Sequence, residues 1–308
     1  MLSILLAVLL SLDRDDYVNP QLSPDGKKLA VARVLARKDG TETTDVLLFD
    51  VENGRSKELI SRKEAEQHEV YESYVYDIDW LSNDRVAVHI SDGDVGGVTL
   101  TVDAKTRRVI ATEIHEEDTF IPVEYNDVAR NESRYAAEFS HDELMSALGS
   151  GATRLAGGEV VVQRALRRGK DVAIFRLGET ARLVATVPRE EELGPAIEHG
   201  GRLLFALGTD SRMRIVDSEL RTLGSWPVER EEAAHFRAAG STLYLLIRPH
   251  RDDDAGGRIF ELVGDTFQPR DFGENLNDVS FSADGNRVAI HYRKNGRRAV
   301  RVLEGHRR

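Results

Sequence analysis

Short apolar stretches separated by polar turns recur along the chain, and one such pattern occurs three times. The copies are residues 20–31 (PQLSPDGKKLAV), 278–290 (DVSFSADGNRVAI) and 77–88 (DIDWLSNDRVAV). The third copy has two fewer residues after its aspartate than the other two. In each copy, Ser-x-Asp follows a large apolar residue and precedes an apolar stretch. Aspartate accepts hydrogen bonds from the backbone after it, and glycine supplies a positive φ. The pattern therefore predicts a tight antiparallel hairpin.

The hairpins recur with a regular period. Corresponding turns fall near Gly158, Gly201, Gly240 and Gly285, a spacing of about 40–45 residues that is typical of four-stranded propeller blades. One hairpin cannot bury both of its faces, so repeated hairpins indicate sheets stacked on sheets. We predict an all-β fold, a six-bladed β-propeller of four-stranded antiparallel blades.

Residues 116–150 break this period. Ser140 and Glu143 form a capping box, which predicts a short helical insertion near residues 141–148. If residues 116–150 are instead a degenerate blade, the propeller has seven blades. The last blade shows only three strands, so we expect the N-terminal segment to supply the missing strand and remove exposed edges.

The first 12 residues are strongly apolar. The stretch is shorter than the roughly 20 apolar residues that span a bilayer, and its length fits the apolar region of a secretory signal. We predict that residues 1–12 are a signal peptide or an N-terminal strand, and that residues 13–308 are a single propeller domain. The signal-peptide reading predicts a periplasmic or otherwise extracytoplasmic protein without a membrane-spanning segment.

Charge and cysteine content exclude several functions. The chain has 42 basic and 53 acidic residues, a net charge of −11, which argues against binding to phosphate backbones and thus to nucleic acid. There is no cysteine, which excludes disulfides, thiolate metal sites and thiol catalysis.

No motif predicts catalysis. Ser150 lies between two glycines but lacks the G-x-S-x-G spacing of a nucleophile elbow. The acidic stretches 92–94 and 252–254 do not match a twelve-residue calcium loop. His89 and His291 occupy equivalent strands and are expected to be structural. We therefore predict no catalytic residue, no metal site and no cofactor.

Propellers usually bind ligands where their innermost strands enter the central channel. Carboxylates and amides at that point could bind a cation or a basic peptide, or could remain solvated so that no charge is buried. Trp80 and Trp226 are expected to pack between blades. The candidate channel-lining, ligand-binding residues are Asn19, Asp77, Asp79, Glu198, His235, Asn277 and Asp278.

Two family resemblances follow from these motifs. Residues 22–30 (LSPDGKKLA), residues 46–54 behind them and residues 281–285 resemble the TolB-like, WD-like propeller repeat. That resemblance implies six blades, a periplasmic location and a role in protein contacts without chemistry. Residues 79–85 (DWLSNDR) resemble the N-terminal propeller of prolyl-oligopeptidase-type hydrolases. Such motifs specify a blade rather than a function, because their residues form turns.

The leading hypothesis is a non-catalytic propeller that acts as a protein-interaction or ligand-binding scaffold in the cell envelope. We expect a protein or peptide partner. Two alternatives remain open: the propeller of a prolyl-oligopeptidase-like peptidase without its catalytic domain, and a metal-dependent propeller hydrolase or lactonase.

Overall fold

A computed structural model shows an all-β chain. It describes residues 6–36, 42–61, 63–64, 74–91, 96–116, 153–155, 159–165, 171–177, 181–228, 232–249, 256–272 and 276–305. Within these ranges the strands form six four-stranded antiparallel sheets. Among the described residues, no helix has the length and apolarity needed to cross a membrane.

The strands are numbered in chain order, and β1 is Leu6–Leu12. Sheet 1 contains β2 (Asp16–Leu22), β3 (Lys28–Ala36), β4 (Glu42–Asp50) and β5 (Ser56–Ile60). Sheet 2 contains β6 (Tyr74–Ser82), β7 (Arg85–Ser91), β8 (Gly96–Asp103) and β9 (Arg108–Glu116). Sheet 3 contains β10 (Thr153–Arg154), β11 (Val160–Ala165), β12 (Asp171–Leu177) and β13 (Ala181–Pro188).

The second half of the chain continues the same order. Sheet 4 contains β14 (Glu192–His199), β15 (Arg202–Gly208), β16 (Arg212–Asp217) and β17 (Thr222–Pro227). Sheet 5 contains β18 (Glu232–Ala239), β19 (Thr242–Pro249), β20 (Arg258–Val263) and β21 (Thr266–Arg270). Sheet 6 contains β22 (Leu276–Phe281), β23 (Arg287–Lys294), β24 (Arg297–Gly305) and, as its outer strand, β1.

The repeated Ser-x-Asp-Gly turns form as the sequence predicts. In sheet 1, Ser23 Oγ donates to Asp25 Oδ1 over 2.6 Å, and the same carboxylate oxygen accepts the Lys27 amide over 3.1 Å. Gly26 has a φ of 69°, which glycine adopts without steric cost. In sheet 6, Ser282 Oγ donates to Asp284 Oδ1 over 2.7 Å. One local sequence thus folds both hairpins.

These turns also bind one another across sheets. The Ala283 amide in the sheet 6 turn donates to the Pro24 carbonyl over 2.8 Å. On the other side, the Asp25 amide donates to Asn83 Oδ1 of the sheet 2 turn over 2.9 Å. The three sequence copies therefore lie side by side on one face of the assembly.

Sheet 6 is completed by the N-terminus. β1 pairs antiparallel with β24, from Leu6 opposite Gly305 to Leu12 opposite Val300. Leu10 and Leu12 are buried with residues of sheets 1 and 6. The expectation that the N-terminal segment supplies the fourth strand of the last blade is confirmed.

Apolar cores lie between neighbouring sheets. Separate buried clusters join sheets 1 and 2, 6 and 1, 3 and 4, 4 and 5, and 5 and 6. Trp80 packs on the first of these, and its Nε1 donates to the Gln21 carbonyl of sheet 1 over 3.0 Å. Trp226 packs against Phe260 of sheet 5, with ring centroids 4.6 Å apart and the ring planes tilted by 44°. Both tryptophans therefore pack between blades, as predicted.

First strands of adjacent sheets contact each other, as β2 does with β6 and β22, and β18 with β14 and β22. They are therefore the inner strands, and the predicted β-propeller is confirmed. The helix predicted near 141–148, the acidic stretches 92–94 and 252–254, and Ser150 lie outside the described residues. So does nearly all of 116–150, and the choice between six and seven blades stays a prediction.

Candidate functional site

In four sheets, the pairing of the inner strand with the next strand contains a register shift. The pairing register shifts between Val18 and Gln21 in β2, Val75 and Asp77 in β6, Leu193 and Ala196 in β14, and Leu276 and Asp278 in β22. A β-bulge interrupts the ladder and changes where side chains point. The predicted site residues Asn19, Asp77, Asn277 and Asp278 all lie at these bulges.

Asp278 is held by two arginines of sheet 5. Its side chain is only 13% exposed, and its Oδ1 accepts the Val279 amide over 2.7 Å and Arg237 Nη2 over 3.1 Å. Arg248 Nη1 lies 3.7 Å from Asp278 Oδ2. Burial opposes ionisation of this carboxyl, yet Arg237 and Arg248 outweigh it and lower the pKa of Asp278. Asp278 is therefore a buried carboxylate.

His235 fixes the orientation of Arg248. Arg248 Nε donates to His235 Nε2 over 3.1 Å. That nitrogen must carry a lone pair to accept the bond, so the imidazole in this arrangement is neutral, with its proton on Nδ1. His235 therefore acts as an acceptor toward a cation, and does not itself add positive charge.

Asp77 enters the same region from sheet 2. Its Oδ1 accepts the Ile78 amide over 2.8 Å. Burial, and then the charge of Asp79, raise the pKa of Asp77, while Arg237 is close enough to lower it in part. Asp77 and Arg237 therefore lie within electrostatic range of each other, although no ion pair joins them within the described residues. Asp77, His235, Arg237, Arg248 and Asp278 are called the central cluster below.

The other predicted residues take different roles. Asp79 is exposed, and its Oδ2 lies 3.3 Å from His89 Nε2. His89 Nδ1 lies 2.8 Å from Thr99 Oγ1. Asn19 has a φ of 52° and donates from Nδ2 to the Val75 carbonyl over 2.9 Å. Asn19 therefore joins sheets 1 and 2.

Glu198 lies apart from the central cluster. It pairs with Leu203 beside the β14–β15 turn. It accepts a bond of 2.6 Å from Arg176 Nη1, and Arg176 also binds Glu159. Within the described residues, no bond joins Glu198 to the central cluster. The sequence correctly predicted that Glu198 lies on an inner strand, but only the pairing of β14 with β15 shows that it lies near the end of that strand.

Asn277 is a predicted site residue whose side-chain amide lacks hydrogen bonds within the described part of the chain. It is 4% exposed, and neither Oδ1 nor Nδ2 has a hydrogen-bond partner among the residues that the structure describes. Buried polar side chains are normally paired. Both polar atoms of this amide, which is next in the chain to Asp278, are thus enclosed and unpaired within the described residues.

Sequence reasoning missed Arg237 and Arg248, which hold the buried carboxylate. The predicted site residues were carboxylates, amides and a histidine on inner strands, and neither arginine was among them. A signal was present for Arg237, since it follows His235 by two residues and shares its face of the strand. Arg248 lies on the second strand of its sheet, and only pairing across β18 and β19 brings it to His235.

The central cluster combines charges of both signs. Across the ranges the structure describes, no group of three His, Asp or Glu side chains is arranged to hold a metal ion. Two of the cluster's five groups are guanidinium ions, which repel cations. Such a mixture of fixed charges is suited to recognising charged groups on a partner.

No family model matches the chain, and no curated protein sequence matches it. Solved structures with a similar fold include a prolyl endopeptidase (12% identity, TM-score 0.38, 94% of this chain and 41% of that one). Another is an oligogalacturonate lyase from Vibrio parahaemolyticus, with 10% identity and a TM-score of 0.40 over 97% of this chain and 93% of that one. A third is the β-propeller domain of the Trilobed protease from Pyrococcus furiosus, with 12% identity and a TM-score of 0.38 over 94% of this chain and 80% of that one. The chain thus spans less than half of the prolyl endopeptidase.

Proposed function

We propose that this chain is a non-catalytic β-propeller that binds a protein or peptide partner at the central cluster. The observation that carries the proposal is the pairing of Arg237 and Arg248 of sheet 5 with the largely buried carboxylate of Asp278 in sheet 6, with Asp77 of sheet 2 within electrostatic range of Arg237. Burying Asp278 costs free energy that Arg237 and Arg248 offset. A purely structural core would pack more favourably with apolar side chains. The site is therefore better explained as a surface for recognition.

Capture experiments with matched variants test this proposal. The wild-type protein and R237Q are immobilised and exposed to an envelope extract, and bound proteins are identified by mass spectrometry. R270Q is the control, because the Arg270 side chain is also 29% exposed and is ion-paired with Glu261, at 2.6 Å, on outer strands. We expect a partner that wild type and R270Q retain and R237Q loses. Equal capture by all three would refute the central cluster as the binding site.

We also infer that the protein acts outside the cytoplasm, a proposal that rests on the apolar N-terminal stretch. That stretch is also β1, so an exported protein must keep residues 6–12 to keep the outer strand of sheet 6. Cell fractionation with intact-mass measurement tests both points. A mature protein in the cytoplasm would refute export, and a mass that lacks residues 1–12 would refute retention of β1.

A further inference from the structure

The two arginines of the central cluster differ in how many donors they use. Arg237 donates from Nε to the Val279 carbonyl over 3.2 Å, from Nη1 to the Phe236 carbonyl over 3.2 Å and from Nη2 to Asp278. All three of its nitrogens are thus engaged, two of them with backbone. Arg237 is therefore a structural cation that positions Asp278.

Arg248 has unused donors. Its Nε binds His235, but its closest approach to Asp278 is 3.7 Å, which is too long for a hydrogen bond. Both Nη atoms thus make no hydrogen bond within the described part of the chain. The side chain is 31% exposed, so a ligand can reach it. The bond to His235 fixes the plane of the guanidinium and leaves its Nη pair directed away from that histidine.

We propose that Arg248 anchors a carboxylate group of the partner, an inference that rests on the proposed function. A planar guanidinium with two free Nη groups matches a carboxylate in a bidentate arrangement. Two guanidinium groups, those of Arg237 and Arg248, face the single carboxylate of Asp278, so these three side chains carry one positive charge in excess. A monoanionic carboxylate suits this balance better than a phosphate dianion, because Asp278 lies close by and repels added negative charge.

Asn277 is a second observation that favours a ligand here. Its amide is buried and unpaired within the described residues, and it is adjacent in the chain to the carboxylate that Arg248 faces. An amide can both donate to and accept from a peptide backbone. A peptide segment bound at Arg248 would satisfy this amide only if binding also opened access to its enclosed polar atoms.

Three blocked peptides test the proposal on the wild-type protein. They are acetyl-trialanine as free acid, the same peptide as C-terminal amide, and acetyl-Ala-Glu-Ala amide. Binding is followed by the side-chain Nε–H signals of ¹⁵N-arginine-labelled protein up to about 50 mM peptide, where even a single charge-assisted contact is visible. We expect at least one carboxylate peptide to bind about 10–100-fold more tightly than the neutral amide.

The source of the carboxylate is read from the same titrations. Tighter binding of the free acid indicates a chain terminus, and tighter binding of the glutamate peptide indicates an acidic side chain; both outcomes support the proposal. Equal binding of all three peptides, or no binding up to about 50 mM, would overturn it.

Variants separate this proposal from the function proposed above. R248K keeps the charge but loses the planar fork, and should weaken carboxylate binding about tenfold or more. R270K, on the outer strands, should leave it unchanged. If R237Q abolishes partner capture while R248K retains both capture and carboxylate affinity, the carboxylate inference fails and the binding function stands. If R237Q still captures the partner, the function itself fails.

Discussion

Removing apolar volume from β1 should destabilise the whole propeller, because β1 is the outer strand of its last sheet. Leu12 is 8% exposed and packs in the cluster shared by sheets 6 and 1. Val8 lies on the same strand and is 56% exposed. Leu12→Ala and Val8→Ala therefore compare a buried and an exposed apolar position of one strand.

The expected magnitudes differ severalfold. Truncation of a buried leucine to alanine costs about 2–5 kcal/mol, and about 3 is reasonable here because the side chain retains slight exposure. A surface substitution such as Val8→Ala stays within about 0.5 kcal/mol. With about 2–4 °C per kcal/mol for large domains, Leu12→Ala should lower Tm by about 6–12 °C.

Differential scanning calorimetry of both variants and the wild type, at one scan rate, measures these shifts. The wild-type and variant chains must have the same N-terminus, confirmed by intact mass. Equal Tm values for Leu12→Ala and Val8→Ala would show that β1 does not close sheet 6 in solution. The closure argument would then fail.

Three further substitutions test the turns, the cluster and the packing between sheets. Gly26→Ala should lower the free energy of unfolding in urea by about 2–4 kcal/mol, because the φ of Gly26 is +69° and a Cβ there would lie 2.9 Å from Arg287 Cδ. Gly264→Ala is the control: Gly264 has a φ of +62° but open space around it, so the cost should be about 1–2 kcal/mol. Burial raises the pKa of Asp77, so the folded state keeps this proton to higher pH than the unfolded chain, and ionised Asp77 opposes folding. The free energy of unfolding of D77N relative to wild type should therefore increase as pH rises above about 4, and this gain should disappear at lower pH. Urea unfolding at pH 4 and pH 8 measures the difference. A difference that does not change with pH would contradict this prediction. Trp80→Phe loses the 3.0 Å bond to sheet 1 and should cost about 1 kcal/mol in urea unfolding, whereas an unchanged midpoint would show that the bond contributes nothing.

The hairpins were predictable because their cause is local. Ser23, Asp25 and Gly26 form their turn with bonds that span a few residues. The same local sequence gives the same turn near residue 284. The need for β1 followed from counting strands in the last blade, since an incomplete blade would leave an exposed edge.

The candidate site was only partly predictable. Asp77, His235 and Asp278 could be chosen as polar residues on inner strands. Whether they meet depends on bulges and on the position of each residue along its strand, which separates Glu198 from the others. Arg237 and Arg248 gain their roles from Asp278, a residue 41 and 30 positions away in sequence. No local pattern records such a pairing.

By itself, the sequence determined the blade: its turns, its alternation, its period and the number of strands it needs. These features depend on backbone conformation and on the partition of apolar side chains, both of which act over a few residues. Only the tertiary structure decided which charges share the centre. That choice depends on the arrangement of sheets 2, 5 and 6, where a buried carboxylate is stable only because two guanidinium groups from another sheet lie beside it.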